Sequence, residues 1–444
     1  MSSLSQTGVM SPPTTFAQRI KYLGPSLIVT ANIVGAGELI MTTTLGAEVG
    51  FIALWIILIS CAVKVMIQLE FGKHAINTGE TTLQAFTKLP GPKIGRGHWS
   101  IWTWLLIKAV QFIQMGGMVG GVALAMHIAI PQIPVWAWAW ITALTTITLV
   151  LRSYYKRVES IAIILVSLFS VFTIFCVFLL QSTPYAVSWS EISSGFDFQL
   201  PAAVVGVALA AFGITGMSSE ETISYPYWCL EKGYGKFTGK RDDSNEWSER
   251  AKGWISVMYM DAFISMIIYT IATGAFYILG ASILHRLDQV PRGYDTISTL
   301  SQIYTESVGP WAEGVFLFGA VIVLFSSLFI NAATNQRTFT DAFAQLGILN
   351  YEDEQTRNKW FTFWAIFLPS SWAVLFVAVQ APVIMITIGG ISLTALLLLV
   401  VFAALHFRYV RLDKRLHPIL AYDILLWLSG IIIMAFGIYA LGTI

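Results

Sequence analysis

Apolar residues fall in long runs separated by short polar ones. A spanning helix needs about 20 predominantly apolar residues. Eleven runs satisfy that rule, near 24–47, 51–70, 101–128, 133–151, 160–180, 201–229, 255–280, 308–331, 359–379, 382–406 and 418–442. Aromatic residues gather at their edges, as in Trp136 to Trp140 and at Trp372, which suits interfacial belts. The pattern predicts an all-α polytopic membrane protein with about 11 transmembrane helices. Two runs are interrupted. The first, GPSLIVTANIVGAGELIMTTTLGAEVGF, carries Gly35, Gly37 and Glu38 near its middle. The sixth, PAAVVGVALAAFGITGMSSEETISYPYWCL, carries Gly213, Gly216, Ser218, Ser219, Glu220 and Glu221. The two lie five spans apart, the pattern of two inverted five-helix repeats that each begin with a discontinuous helix. The expected organisation is an arm over 1–20 and a single transmembrane transporter domain over 21–444. Within that domain, repeat one covers about 24–180, repeat two about 201–406, and an extra helix about 418–442.

Composition agrees. Of 444 residues, 56% are hydrophobic and 11% charged, so there is too little polar surface for a soluble protein of this length. Mean hydropathy is +0.70. A net charge of +1 implies no nucleic-acid partner; the expected surroundings are a lipid bilayer, with the chain as a monomer. Cys61, Cys176 and Cys229 lack CxxC spacing and predict neither a disulfide scaffold nor a metal cluster. The first 24 residues lack the apolar core of a cleavable signal and read as a short disordered arm. Lys64 and Lys108 lie inside spans, and Arg286 and Arg292 follow the seventh. All other lysines and arginines fall in the arm or after even-numbered spans. That asymmetry predicts a cytoplasmic N-terminus and an outer C-terminus, in a cell (plasma or inner) membrane.

The breaks carry the chemistry. Unwinding a helix in a bilayer frees backbone groups that need partners. A bound cation would satisfy the carbonyls, and the C-terminal end of the incoming half-helix adds negative potential. Ionised carboxylates at mid-membrane cost at least ~3 kcal/mol each on insertion scales, so something positive must offset them. Glu38, Met41 and Thr42 share one helical face, as do Met217, Glu220, Glu221 and Ser224. Gly35 opens the backbone beside Glu38. Together these residues predict an oxygen-rich cation site with one thioether, Met217.

The stretch GPSLIVTANIVGAGELIMTTTLGAEVGF resembles the first span of the Nramp divalent-metal transporters, with their GPG…DPGN…AGA spacing. LWIILISCAVKVMIQLEFGKHAINTG resembles their second span, RSYYKRVES the loop before their fifth, and FGITGMSSEET their Met-Pro-His-Asn break. The resemblance implies a leucine-transporter-like fold and transport of Mn²⁺ or Fe²⁺, usually with protons. It also implies that backbone carbonyls of Asn32 and Ile214 join Glu38, Met217, Glu220 and Glu221 around the metal. Departures are specific. The Asp-Pro-Gly-Asn motif reads Gly35-Ala36-Gly37-Glu38, and Met-Pro-His-Asn reads Met217-Ser218-Ser219-Glu220. Acidic proton-pathway positions of the third span read Gln114 and Gly117. Transport is therefore expected to be uncoupled from protons, or coupled only through the site glutamates.

The sequence-based expectation is a secondary transporter moving a divalent cation (Mn/Fe-like, or Mg) by alternating access, with no cofactor beyond the transported ion. The alternative is a same-fold transporter of a small organic solute such as an amino acid or amine. No HExxH, GxSxG or phosphate-loop motif points to an enzyme, and no soluble output domain to a sensor. Other features have plain readings. Gly116, Gly117, Gly120 and Gly121 read as helix packing, and Lys64 and Lys108 as snorkelling side chains. Asp261 reads as a polar group near an interface, Tyr225, Tyr227 and Trp228 as interfacial anchors, and Ser326 and Ser327 as packing between helices.

Overall fold

The computed structural model describes residues 8–35, 37–152 and 155–442. Ala36, inside the first break, and Ser153 and Tyr154, in the expected fifth-span loop, lie outside them. The described chain is mostly helical; among the described residues its strands are a short hairpin pairing Lys93 with His98 and Ile94 with Gly97.

The first apolar run is split. Helix α1 covers Pro25–Ile33, with proline in its first turn, where a missing N–H costs nothing. The chain breaks after it, at Val34 and Gly35. It resumes in a π-helical segment, Gly37–Thr42, that leads into α2, Thr43–Val49. Three long helices follow: α3 (Leu54–Thr78), α4 (Trp99–Ala129) and α5 (Val135–Leu151). Next come α6 (Tyr155–Leu180) and the second split pair, α7 (Val205–Ile214) and α8 (Ser219–Lys232). The chain continues through α9 (Asn245–Leu279), the short α10 (Thr296–Val308), α11 (Ala312–Gln345) and α12 (Glu354–Val379). Helices α13 (Pro382–His406) and α14 (Leu420–Leu441) complete it.

Among the described residues, eight segments are long and apolar enough to cross a membrane, against the eleven that the runs predict. Outside those eight, the first run is divided by its break, and α5 has 17 residues. The second break is narrower than expected. Gly213 and Ile214 remain in α7, Ser219 to Glu221 belong to α8, and only Thr215 to Ser218 leave the helix. Gly216 takes φ +61°, a left-handed turn that a side chain disfavours.

Small residues let helices approach closely. A Cβ on Gly213 would strike the Gly390 backbone, and one on Gly390 the Ala210 backbone, so α7 lies against α13. Gly116 and Gly117 face backbone at Trp372 and Pro382, as the packing reading expects.

Loops join at two opposite ends. At one, Asn77 Nδ2 donates to Arg411 O (3.1 Å), Thr81 Oγ1 to Asp341 Oδ2 (2.7 Å) and Arg415 Nη1 to Ser244 O (2.9 Å). The described part of the N-terminal arm docks here rather than staying disordered: Met10 N donates to Phe237 O, and Trp254 Nε1 to Met10 O. At the other end, Trp55 reaches Gly195 and Gln199, His285 reaches Ala47, and Arg286 pairs with Glu191.

Candidate substrate site

The two breaks meet. Ile214 packs against Gly37, where any side chain would clash with it. Glu38 is fully buried; its Oε1 accepts from Gly216 N (3.4 Å) and from Thr273 Oγ1 of α9 (3.2 Å). Its Oε2 has no hydrogen-bond partner. Across the break, Ser218 caps α8, its Oγ accepting from Glu220 N. The same hydroxyl donates to Glu221 Oε2, and Asn32 Nδ2 donates to Glu221 Oε1 (2.7 Å). Asn32 Oδ1 accepts from Asn331 Nδ2 (3.0 Å), and the Asn32 backbone carbonyl from Ser327 Oγ (3.1 Å).

Beside this contact lies a small cavity. Asn32, Ile214, Glu220 and Glu221 line it, four of the residues expected at the site. Glu38, Gly35 and Met217 are not among its walls. Met217 is buried in the core, and Glu38 lies on the α9 side of the break. The remaining wall comes largely from α4 and α11: Lys108, Gln111, Gln114, Met115, Met118, Asn331 and Asn335. These the sequence reading missed, apart from Gln114. A signal existed: residues 108, 111, 115 and 118 recur at helical spacing, so one face of α4 carries an ammonium, an amide and two thioethers. Glu220 Oε2, Gln111 Nε2 and Gln114 Oε1 are buried without hydrogen-bond partners in the protein.

Charge is balanced from within. Neither lysine snorkels. Lys64 is completely buried and donates to the carbonyls of Phe212 and Thr215, the latter at 2.8 Å. Ser60, one turn earlier, donates to the same two carbonyls. The buried C-terminal end of α7 is thus capped by α3 at Phe212 and Thr215, which flank Ile214, whose carbonyl the resemblance assigns to the metal. Lys108 forms an ion pair with Glu220 and donates to Asn335 Oδ1 (2.6 Å). Among the described residues, no three histidine, cysteine or acidic side chains converge on one point, so the three glutamates do not form a single cage.

Other expectations change too. Asp261 is buried, accepting from Gly24 N and Ser26 N at the start of α1 (2.9 and 2.7 Å), where a carboxylate offsets the helix's positive end. Tyr225, Tyr227 and Trp228 are buried rather than interfacial, and Tyr227 donates to Asp341 (2.6 Å). Ser327 does more than pack, since it holds the Asn32 carbonyl.

A family model described as "Natural resistance-associated macrophage protein-like" matches residues 26–443. "Metal transporter Nramp6.2" of Populus trichocarpa is 32% identical over 130 residues, 29% of this chain and 23% of that protein. Among solved structures, a manganese transporter of Eremococcus coleocola superposes with a TM-score of 0.67 at 16% identity, covering 100% of this chain and 90% of that one. The nucleobase-cation-symport-1 family transporter Mhp1, in a closed conformation, gives 0.59 at 14%, covering 98% and 93%.

Proposed function

The chain belongs to the Nramp family, and from that premise we propose that it carries a divalent metal cation across a membrane by alternating access about the two breaks. It is a multi-pass transporter and not an enzyme. The observation that carries the substrate reading is the cavity beside the breaks. There Glu220, Glu221 and Asn32 supply hard oxygen donors, and Met115 and Met118 supply thioethers. Carboxylate with thioether suits Mn²⁺ or Fe²⁺ better than Mg²⁺, which prefers an all-oxygen shell. Glu38 is assigned a supporting role: it links the π-helical segment to the Gly216 turn and feels any change in the gap between them. Met217, Gly35 and Ile214 shape the break. Any proton movement is assigned to Glu38, Glu220 and Glu221.

Two further chambers continue from the cavity along α8 and α11. One is walled by Glu221, Ser224, Trp228 and Asn331, the next by Trp228, Glu231, Thr334 and Arg337. Glu220, Ser224, Trp228 and Glu231 follow one face of α8, so this line is the proposed route to one side. It ends where Arg337 meets Glu231 (3.2 Å) and lies over the Trp228 ring. The lysine- and arginine-rich loops join one another at that same end. We therefore place it in the cytoplasm of a cell (plasma or inner) membrane, with the chain acting as a monomer.

Uptake into proteoliposomes of Mn²⁺, Fe²⁺ and Mg²⁺, beside an amino acid and an amine, tests the reading. Metal uptake that falls at least tenfold in Glu221→Gln is the expected result. Uptake of an organic solute but no metal would replace it with the alternative cargo. Metal-driven acidification that survives Glu38→Gln, Glu220→Gln and Glu221→Gln, tested singly, would show a proton path outside them.

A further inference from the structure

We propose that Lys108 is a tethered counter-ion that shares Glu220 with the transported cation, weakening the cation's hold so that it can leave. This rests on the reading that the cavity takes a divalent cation.

Lys108 lies in the middle of the site, not at its margin. It lines the same cavity as Asn32, Glu220 and Glu221, and its side chain is almost entirely buried. Its ammonium has three neighbours: the Glu220 carboxylate, Asn335 Oδ1 at 2.6 Å, and the Trp104 ring, 5.6 Å from its centroid. Two of these are neutral. If Glu220 turned towards an entering metal, Asn335 and Trp104 would still hold the ammonium, one by a hydrogen bond and one by its ring face. The lysine therefore has a place to stand in either state.

The two carboxylates of the cavity are held differently. Glu221 has both oxygens engaged, by Asn32 and Ser218. Glu220 gives one oxygen to Lys108, and its other oxygen is buried without a hydrogen-bond partner. A pair kept only to glue α4 to α8 would be saturated, because an unsatisfied buried carboxylate oxygen is costly. Glu220 is instead half-committed, with an oxygen left for a ligand.

The charges set the consequence. Two ionised carboxylates without a lysine would bind a divalent ion in a low-dielectric cavity tightly enough to slow its release. A fixed ammonium a few ångströms away opposes that binding in every state of the cycle. Lys108 then trades affinity for turnover.

The test uses the full-length protein and Mn²⁺ alone. Calorimetry in detergent gives Kd, and proteoliposome uptake gives KM and kcat. Lys108→Met keeps the length and removes the charge. It should bind Mn²⁺ about tenfold or more tighter and transport it with KM and kcat both lowered. Lys108→Arg keeps the charge and should stay near wild type. A folded Lys108→Met that binds Mn²⁺ no tighter than wild type would overturn the proposal and leave Lys108 structural. Should Lys108→Met not fold, Glu220→Gln is compared with Lys108→Met/Glu220→Gln. Tighter binding by the double variant shows the same repulsion; equal binding overturns it. If wild type and every variant fail to bind Mn²⁺ while remaining folded, the substrate reading itself has failed, an outcome distinct from the others.

Discussion

A helix that stops inside a bilayer leaves its last carbonyls without donors. At the end of α7 those carbonyls find Ser60 and Lys64 of α3, so a lysine does there what an ion would otherwise do. Lys64→Met should lose that cap and destabilise the protein by about 1–3 kcal/mol, the cost of leaving buried polar groups unpaired. A thermal unfolding midpoint in detergent equal to wild type would show that other donors serve these carbonyls. Softness at the site is expected from Met115 and Met118, which face the cavity, rather than from Met217. Met115→Leu and Met118→Leu should therefore reduce affinity for Mn²⁺ and Cd²⁺ while sparing Mg²⁺, and Met217→Ala should leave the ranking of the three unchanged. Calorimetry with those ions decides it, and a changed ranking in Met217→Ala alone would return the thioether role to the break. These assignments show what was legible residue by residue. Glu220, Glu221 and Asn32 stood out because carboxylates in an apolar run demand an explanation. Met115 and Met118 did not, because a methionine in an apolar helix is ordinary until its neighbours are known. The two lysines were misjudged for a related reason: a long side chain near a span end can reach water or turn inward, and only packing decides.

Between residues and molecule stand the elements that hold the half-helices in place. Both breaks were readable from the sequence, since glycine, serine and glutamate clustered at matching positions in two runs. Their extent was not, because Ser219 to Glu221 are helical once Ser218 caps them. Nor was the closure of the loops at the Glu80 end, which joins residues far apart in the chain. There Glu80, just past α3, takes an ion pair from Lys88, hydrogen bonds from Arg411 beyond α13 (3.1 and 2.9 Å) and a contact with His74 (3.2 Å). Burial alone would raise its pKa, but these partners hold it down from the usual 4.5 to about 2. Its folded value lies below its unfolded one, so its contribution to stability is whole above about 4.5 and is lost as pH falls towards about 2. Unfolding midpoints measured from pH 6 to about 3 should therefore fall more steeply in wild type than in Glu80→Gln. Parallel curves would mean that this cluster does not lock the loops in the folded state.

For the whole molecule, alternating access requires a way out of the cavity that is narrowed in this state and wider in another. The small pockets along α8 and α11 mark the proposed line, and Trp228 with Arg337 and Glu231 stands at its end. The packing explains why α8 can serve as a moving wall. It is joined to α7 only through the Thr215–Ser218 segment, and its polar face looks towards Asn331 and Thr334 rather than into a dry helix contact. Ser224 lies midway, buried, with its hydroxyl donating only to the carbonyl of Glu221 one turn back. Ser224→Cys therefore places a thiol on the route without removing a link between helices. A charged, membrane-impermeant thiol reagent should modify it from the side where Arg337 and Glu231 lie, and faster when turnover opens that side. Wild type carries three cysteines, all buried, and serves as the unlabelled control. Trp228→Ala should widen the end of the line and raise the labelling rate of Ser224→Cys by about tenfold. Mn²⁺ held at Glu221 should slow labelling, because it stands one turn from the thiol. Labelling from the opposite side, or a rate indifferent to both Trp228→Ala and Mn²⁺, would mean that the ion leaves between other helices and that these chambers are packing defects.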